Sequence, residues 1–258
     1  EVTPNRPDWM SIIGIAREIA AIQSSKLKEV KVDNLNLPKK KLLMTFKTDF
    51  SLFERWSAVI ISEVEIKESP TWMQKRLKLI GLRPINNIVD ITNYVMYELG
   101  IPLHAFDYNE IKGSQMSVER AKGGEEFTTV DEISYKLPQN AMVIRDSERI
   151  IDLVGIKGGA NSGIKNTTTN VLLHVTIDNP VLIRRASQAL SLRSDASAIY
   201  ERGPDKGGTI NALTRATNLI LEEAGGEVAS EVIDLKKVEF KPWKLTLSLK
   251  RLEKILGI

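Results

Sequence analysis

Residues 81–107, GLRPINNIVDITNYVMYELGIPLHAFD, hold the densest run of unusual residues in the 258-residue chain, and the fold is read outward from them. Arg83-Pro84 biases the backbone toward extended geometry, because a residue before proline is pushed out of the α region. Asn86 and Asn87 follow, and a side-chain oxygen there can accept from the first free amides of a helix. Asp90 then falls in the first turn, where the helix dipole favours a carboxylate, and Ile88, Thr92, Val95 and Leu99 share one face. Gly100 ends the helix, with Pro102 just beyond. One short helix therefore carries Thr92 and Asn93, and its exit loop presents His104 beside Phe106 and Asp107. A histidine so placed, near a threonine and an asparagine, can hydrogen-bond a polar ligand or position a water. The same residues also serve plain structure, as an imidazole bonded to a backbone carbonyl and a threonine hydroxyl bonded back into its own helix.

Toward the N-terminus, Ser69-Pro70 opens a helix with Met73, Leu77 and Ile80 on one face, stopped by Gly81. Before it, residues 55–66 (RWSAVIISEVEI) alternate at Val59 and Ile61 and again at Val64 and Ile66, as a strand with a bulge near Ser62. Residues 24–50 read as a connection whose basic run, Lys39-Lys40-Lys41, is a solvated charge run. At the start, Asn5 and Pro7 precede an amphipathic helix with Ile12, Ile15, Ala16, Ile19 and Ala20 on one face.

Toward the C-terminus, strands are expected at 116–120 and 141–145, the latter forming a hairpin with 149–156. The cluster LVGIKGGANSG (153–163) matches neither a dinucleotide fingerprint nor a P-loop. Its glycines, Gly155, Gly158, Gly159 and Gly163, suit either close approach to a ligand or a glycine-rich hairpin. In NVLLHVTI (170–177), Leu172, His174 and Thr176 share one strand face, and Val171, Leu173 and Val175 the other, so His174 projects away from the more apolar face. Asn179-Pro180 starts a helix with Leu182, Ile183, Ala186 and Leu190 inward. The small and hydroxyl-rich stretch 192–205 then suits a cavity wall or a polar loop. Residues 206–224 form an amphipathic helix ended by Gly225-Gly226, residues 228–235 a strand, and Leu245, Leu247 and Leu249 a strand that passes into a helix. The class is α+β, with mixed and antiparallel sheets and packed helices.

Composition narrows the functions. With no cysteine there is neither a disulfide framework nor a cysteine zinc site, and two histidines without a carboxylate cluster argue against a catalytic metal. No apolar run reaches ~18 residues and no signal-peptide pattern opens the chain, so a cytoplasmic protein without a membrane span is expected. The net charge of +3, from 36 basic and 33 acidic residues, is too small to argue nucleic-acid binding by itself. The chain begins at Glu1 without a methionine, so a piece of a longer protein is expected.

Taken in order, TPNRPDWMSIIGIARE, SPTWMQKRLKLIGLRPINNIVDITNYVMYELGIPLHAFD, VGIKGGANSG, LRSDAS and YERG resemble the beta subunits of bacterial phenylalanyl-tRNA synthetases across nearly the whole chain. The resemblance implies an editing domain at 52–236, the end of a preceding small helical domain at 1–23, a linker at 24–51, and a truncated start of the next domain at 241–258. It implies hydrolysis of tyrosine wrongly esterified to the phenylalanine tRNA, because a site built for phenylalanine cannot strongly reject an isostere with one added hydroxyl. Carried over residue by residue, His104 looks like the histidine near the scissile ester, with Thr92 and Asn93 as polar groups of the catalytic pocket. Gly155 matches the pocket glycine, and Ser194 and Ala196 match a threonine and an alanine of the substrate wall. The family's partners are the tRNA and an alpha subunit in an alpha2beta2 heterotetramer. ATP and magnesium serve the synthetic step there, and no cofactor is expected in this stretch.

Two residues depart from the family pattern. His174 stands where a glutamate usually accepts the tyrosine hydroxyl's proton, and a neutral imidazole accepts less strongly than a carboxylate. Val154 stands beside Gly155 where a smaller residue is usual, and narrows the substrate pocket. The alternative function is thus a structural, tRNA-orienting module in which editing is weakened or lost.

Overall fold

The computed structural model describes residues 2–36, 38, 41–241 and 244–257. In chain order its helices and strands are α1 (Ile12–Ile22), β1 (Thr45–Lys47), β2 (Phe53–Ser62), α2 (Thr71–Leu79), α3 (Asn87–Leu99), β3 (His104–Asp107), β4 (Gln115–Arg120), β5 (Glu126–Thr128), β6 (Ser134–Lys136), β7 (Met142–Arg145), β8 (Ile150–Leu153), β9 (Lys157–Gly158), β10 (Asn170–Asp178), α4 (Pro180–Leu190), α5 (Asp195–Tyr200), α6 (Thr209–Ala224), β11 (Glu227–Val228), β12 (Ile233–Lys236) and α7 (Leu249–Leu256). The class is α+β, as the pattern of elements in the sequence implied.

Strands β2 and β10 are apolar on both faces, which requires a covering layer on each side. They lie antiparallel at the centre of the sheet β11-β2-β10-β3, with β12 also paired to β2. One face carries Val59, Ile61, Val171, Leu173 and Val175 and packs on Ile88, Ile91 and Val95 of α3 and on Leu213, Ala216 and Ile220 of α6. The other carries Trp56, Ala58, Ile60 and Leu172 and packs on a second sheet, β1-β4-β7-β8-β9. Helix α4 closes that second core through Ile183 and Ala186. Strands β5 and β6 form a separate ribbon.

The segment that the sequence singled out is pinned by its polar residues. Asn86 caps α3 by accepting from Val89 N at 2.9 Å, and Gly100 ends the helix in the left-handed region. Asn87 is fully buried and stitches α3 to the segment after β2: its Oδ1 accepts from Lys67 N and its Nδ2 donates to Glu65 O. Asp90 is also fully buried. It accepts from Ser69 Oγ and from Ile85 N at 2.9 Å, and burial raises its carboxyl pKa against those two bonds.

Several expectations are corrected. His104 opens strand β3 rather than sitting on an exit loop, because only three residues separate it from the Gly100 cap. The cap of α1 is Ser11, which accepts from Gly14 N, and Ile12, Ile15 and Ile19 are exposed while Gly14 and Ala20 are buried. Ile80 is exposed beside buried Met73 and Leu77, and α2 starts at Pro70 with no side-chain cap, Ser69 being committed to Asp90. The bulge near Ser62 is a strand end, since Glu63 adopts φ 60° and turns the chain. The connection 24–50 contains β1, whose Phe46 packs on Trp56 with ring centroids 4.8 Å apart. Of its basic run, Lys41 pairs with Glu231 at 2.6 Å, and Lys39 and Lys40 lie outside the described residues. Residues 228–235 split into β11 and β12, because Ser230 leaves the ladder and its Oγ accepts from Ile60 N. Leu245 and Leu247 belong to no strand and are exposed, with no strand paired to them among the described residues, and Leu249 opens α7.

Replacing Asp90 by alanine leaves a buried serine hydroxyl and a backbone amide without an acceptor. The expected loss, read from urea unfolding, is about 2–4 kcal/mol. Asp90→Asn, which keeps an acceptor oxygen, should lose less.

Candidate functional site

The second sheet's hairpin β8–β9 folds over the end of β10, and a hollow of about 80 Å³ forms between them. Its wall includes His104, Asp152, Val154, Gly155, Lys157, Gly158, His174, Thr176, Ala196 and Tyr200. It abuts a cleft of about 640 Å³ whose wall includes Thr92, Asn93, His104, Lys157, Gly158, Ser194 and Ala196. Leu103, His104, Ile156, Lys157, Gly158 and Ala196 belong to both, so His104 stands at the throat. All eight residues singled out in the sequence thus line one continuous space. Val154, Gly155 and His174 lie at the inner end, Thr92, Asn93 and Ser194 line the outer cleft, and His104 and Ala196 are shared. At ~10–15 Å³ per water, the hollow holds about five to eight waters, or the end of one side chain.

Register explains the pairing of the two histidines. His174 of β10 lies directly opposite His104 of β3 and Ala58 of β2, with ring centroids 6.0 Å apart between the imidazoles. Phe106 lies against both rings, at 4.5 Å from His104 and 5.1 Å from His174, and Trp56 stands 5.9 Å from His174. His174 does project away from the Val171 face, but the face it joins is equally buried. Two glycines allow the hairpin to come this close. A Cβ on Gly158 would sit 2.5 Å from His104 Cε1, and one on Gly155 would sit 2.6 Å from Ile183 Cδ1. Of the glycines 155, 158, 159 and 163, only Gly155 has positive φ; close approach explains Gly158 and Gly159, and a Cβ on Gly163 would make only ordinary contacts.

Hydrogen bonds define what each group can still do. Thr92 Oγ1 donates to Val89 O at 2.7 Å, so toward the cleft it can only accept. Ser194 caps α5 in a reciprocal box with Ser197, which makes the hydroxyl-rich stretch a helix rather than a loop. Thr176 Oγ1 donates to Asp178 Oδ2 at 2.5 Å. Its single proton being spent there, Thr176 can only accept from Tyr200 OH at 3.3 Å, and the same hydroxyl also lies 3.5 Å from Pro102 O as an alternative acceptor. His104 Nε2, His174 Nδ1 and Asp178 Oδ1 are sealed in the protein without partners among the described residues.

Burial controls the charges. It pulls His104 down to about 4, and pulls His174 well below the usual imidazole range with help from His104. Burial pushes Asp178 up to about 7, against the bond from Thr176. Asp152 is pushed well above the usual carboxyl range by burial and then by Asp178. At neutral pH both imidazoles are uncharged, and the same burial biases Asp152 toward its protonated form. Asp152, Thr176, Asp178 and Tyr200 were not singled out as site residues in the sequence. A legible signal existed for one of them, a carboxylate inside the apolar run IIDLV.

A more apolar groove of about 480 Å³ lies between α1 and helices α2 and α3, but its one acid, Glu98, is paired with Arg215 at 2.9 Å. Among the described residues, no group of three or more His, Cys, Asp or Glu side chains is arranged to hold a metal.

The model of the B3/4 domain matches residues 53–225, from the first residue of β2 to the end of α6. The chain belongs to the B3/4 domain family. Its B3/4 core is the two-sheet unit with α3 and α6 that holds the hollow and the cleft. Over the whole chain it is 40% identical, across 257 residues, to the phenylalanine–tRNA ligase beta subunit of Thermotoga maritima, covering 33% of that protein. It is 40% identical across 260 residues to the beta subunit of Clostridium acetobutylicum, again covering 33%. The chain thus spans about a third of the length of these relatives. An N-terminal fragment of the phenylalanyl-tRNA synthetase beta subunit from Pyrococcus horikoshii shares the fold, with a TM-score of 0.51 at 16% identity over 99% of this chain and 70% of that one. No helix among the described residues is long and apolar enough to cross a membrane.

Two measurements follow from the B3/4 site's electrostatics. The chain has only two imidazoles, and neither should titrate between pH 8 and pH 5 in a nitrogen-detected NMR titration. Asp178 binds a proton more tightly folded than unfolded, so its own contribution to stability falls as pH rises from the unfolded value near 3.8 through the folded value of about 7. Asp178→Asn should therefore gain on wild type across that window, reaching on the order of 2–4 kcal/mol above pH 8 and little at pH 4, in paired denaturant melts.

Proposed function

We propose that this chain is the editing module of a phenylalanyl-tRNA synthetase beta subunit and hydrolyses tyrosine esterified to the phenylalanine tRNA. The observation that carries the reading is the pair of nested cavities with His104 at the throat between them. The acyl side chain enters the hollow, which leaves the ester in the cleft beside His104, Thr92 and Asn93. A water held by His104 Nδ1 and by the accepting oxygen of Thr92 attacks the acyl carbon, while the Asn93 amide donates to the carbonyl oxygen. The carbon–oxygen bond to the ribose then breaks, and the proton lost by water ends on the ribose oxygen. No acyl–enzyme forms. With its pKa near 4, His104 orients the water through a hydrogen bond rather than storing its proton.

The partners belong to the same proposal: the phenylalanine tRNA, and a synthetase alpha subunit in an alpha2beta2 assembly in the cytoplasm. ATP and magnesium would serve the synthetic step on that alpha subunit.

A second reading, a tRNA-orienting module that hydrolyses nothing, is favoured by one observation. The hollow is small, with Val154 and His174 both on its wall.

Deacylation of tyrosyl-tRNA decides between them. The editing reading expects wild type to release tyrosine well above the protein-free rate and His104→Ala to be slower by at least about 100-fold, the lower end of what a positioned acid or base contributes. A wild-type rate equal to the protein-free control sinks editing and leaves the orienting module; an unchanged rate in His104→Ala removes His104 from the mechanism.

A further inference from the structure

The inner end of the hollow holds polar groups beyond those the editing reading uses. Asp152 is 6% exposed, lines the hollow, and has no hydrogen-bond partner among the described residues. Its oxygens are absent from the sealed atoms, so the little surface they keep is surface facing the hollow. It sits on β8 directly opposite Gly158 of β9, on the hairpin that closes over His104. The other donors at that end are spent internally, with Tyr200 OH shared between Thr176 Oγ1 and Pro102 O, and Thr176 given to Asp178. What remains for a ligand is the Asp152 carboxyl and one face of the His174 imidazole.

We infer that Asp152 reads a hydroxyl at the inner end of the hollow, so that the acyl side chains admitted are those ending in a neutral hydroxyl rather than in bare hydrocarbon or a cation. The inference rests on the editing reading for the orientation of the acyl group, and names which atom of the side chain is recognised. A hydroxyl donates one proton and accepts another, and a protonated carboxyl does both in return. Burial and the neighbouring Asp178 favour that form of Asp152, which faces the hollow without a hydrogen-bond partner among the described residues. His174 Nε2, on the edge of the ring away from its sealed Nδ1, is a second acceptor for the hydroxyl proton. A hydrocarbon end leaves the carboxyl stripped of water and unpaired, which is what makes such a site reject the analogue lacking the hydroxyl. A cation requires Asp152 to ionise beside Asp178.

The test compares two probes that differ by one hydroxyl, L-tyrosinamide and L-phenylalaninamide, bound to the full chain and followed by NMR or calorimetry. The expected result is a preference of at least about tenfold for tyrosinamide in wild type, lost in Asp152→Val with phenylalaninamide binding unchanged or tighter. Asp152→Asn, whose amide both donates and accepts, should keep part of the preference. Equal wild-type affinity for the two probes, no binding of either, or a preference intact in Asp152→Val overturns the inference. Should Asp152→Val fail to fold, a preference in Asp152→Asn equal to or above the wild-type one overturns it. The two readings separate cleanly: tyrosinamide preference without tyrosyl-tRNA hydrolysis sinks editing and keeps Asp152, and hydrolysis with a tyrosyl-to-phenylalanyl rate ratio unchanged in Asp152→Val does the reverse.

Discussion

The register of β10 between β2 and β3 is the constraint on which the site depends. Side chains on a strand alternate faces, so a slip of one residue would send His174 and Thr176 into the helix layer and Val171, Leu173 and Val175 into the hollow. Apolar character alone does not forbid that slip, because both faces of β10 are buried. The polar residues do. Thr176 and Asp178 find each other and Tyr200 on the second-sheet side, whereas the layer of α3 and α6 offers Val95, Leu213 and Ile220 to anything facing it. A buried hydroxyl or carboxylate without a partner costs several times what a paired one gains, so the polar triplet specifies the register that the apolar pattern leaves open.

The same burial that specifies the register sets the chemistry. Withdrawing two imidazoles and two carboxyls from water favours the uncharged form of each, with opposite consequences for stability. The histidines bind protons less tightly folded than unfolded, so their contribution falls as pH drops below the unfolded value near 6.5, for His104 down to about 4. Asp178 does the reverse between 3.8 and about 7. The two trends overlap and partly cancel, and the site stays a set of neutral donors and acceptors through that range. Neutral groups in a dry hollow discriminate by pairing rather than by charge, which suits a choice between side chains of equal charge and nearly equal shape.

Much of the scaffold was legible in the sequence, and the limits of that reading have physical causes. Helix α3 was visible from Asn86 to Gly100 because its cap, its face and its stop are local. The faces of β10 were visible because alternation is local too. The role of Asn87 was not, since its partners Lys67, Glu65 and Glu223 lie 20, 22 and 136 residues away. Strand β1 was missed because three residues in a polar stretch carry no period, and only pairing with β4 makes them a strand. Asp178 was missed because nothing in a single strand announces that another sheet will fold over it, whereas for Asp152 the carboxylate inside the apolar run IIDLV was a legible sign of burial but not of a ligand. The motif residues still gather around one space, since each sits at the end of an element whose own boundaries were readable. Thr92 was ambiguous between pocket and helix, and it does both, with its proton in the helix and its lone pair in the cleft.

The two cavities are joined through a shared wall, and this has a consequence for how selectivity would be expressed. His104, Ile156, Gly158 and Ala196 line both spaces, so a side chain seated in the hollow sets where its own carbonyl lies relative to His104. A group that binds but fails to reach Asp152 leaves the carbonyl displaced, and displacement of about 1 Å at a reacting centre costs on the order of 100-fold in rate. Recognition at the inner end is thereby converted into position at the outer end. Discrimination between two side chains that differ by one hydroxyl should then fall more on the rate of the bound complex than on its affinity, because remote contacts are used to place the reacting atoms. The wall that makes this possible is the hairpin β8–β9, which approaches His104 closely only because position 158 is glycine.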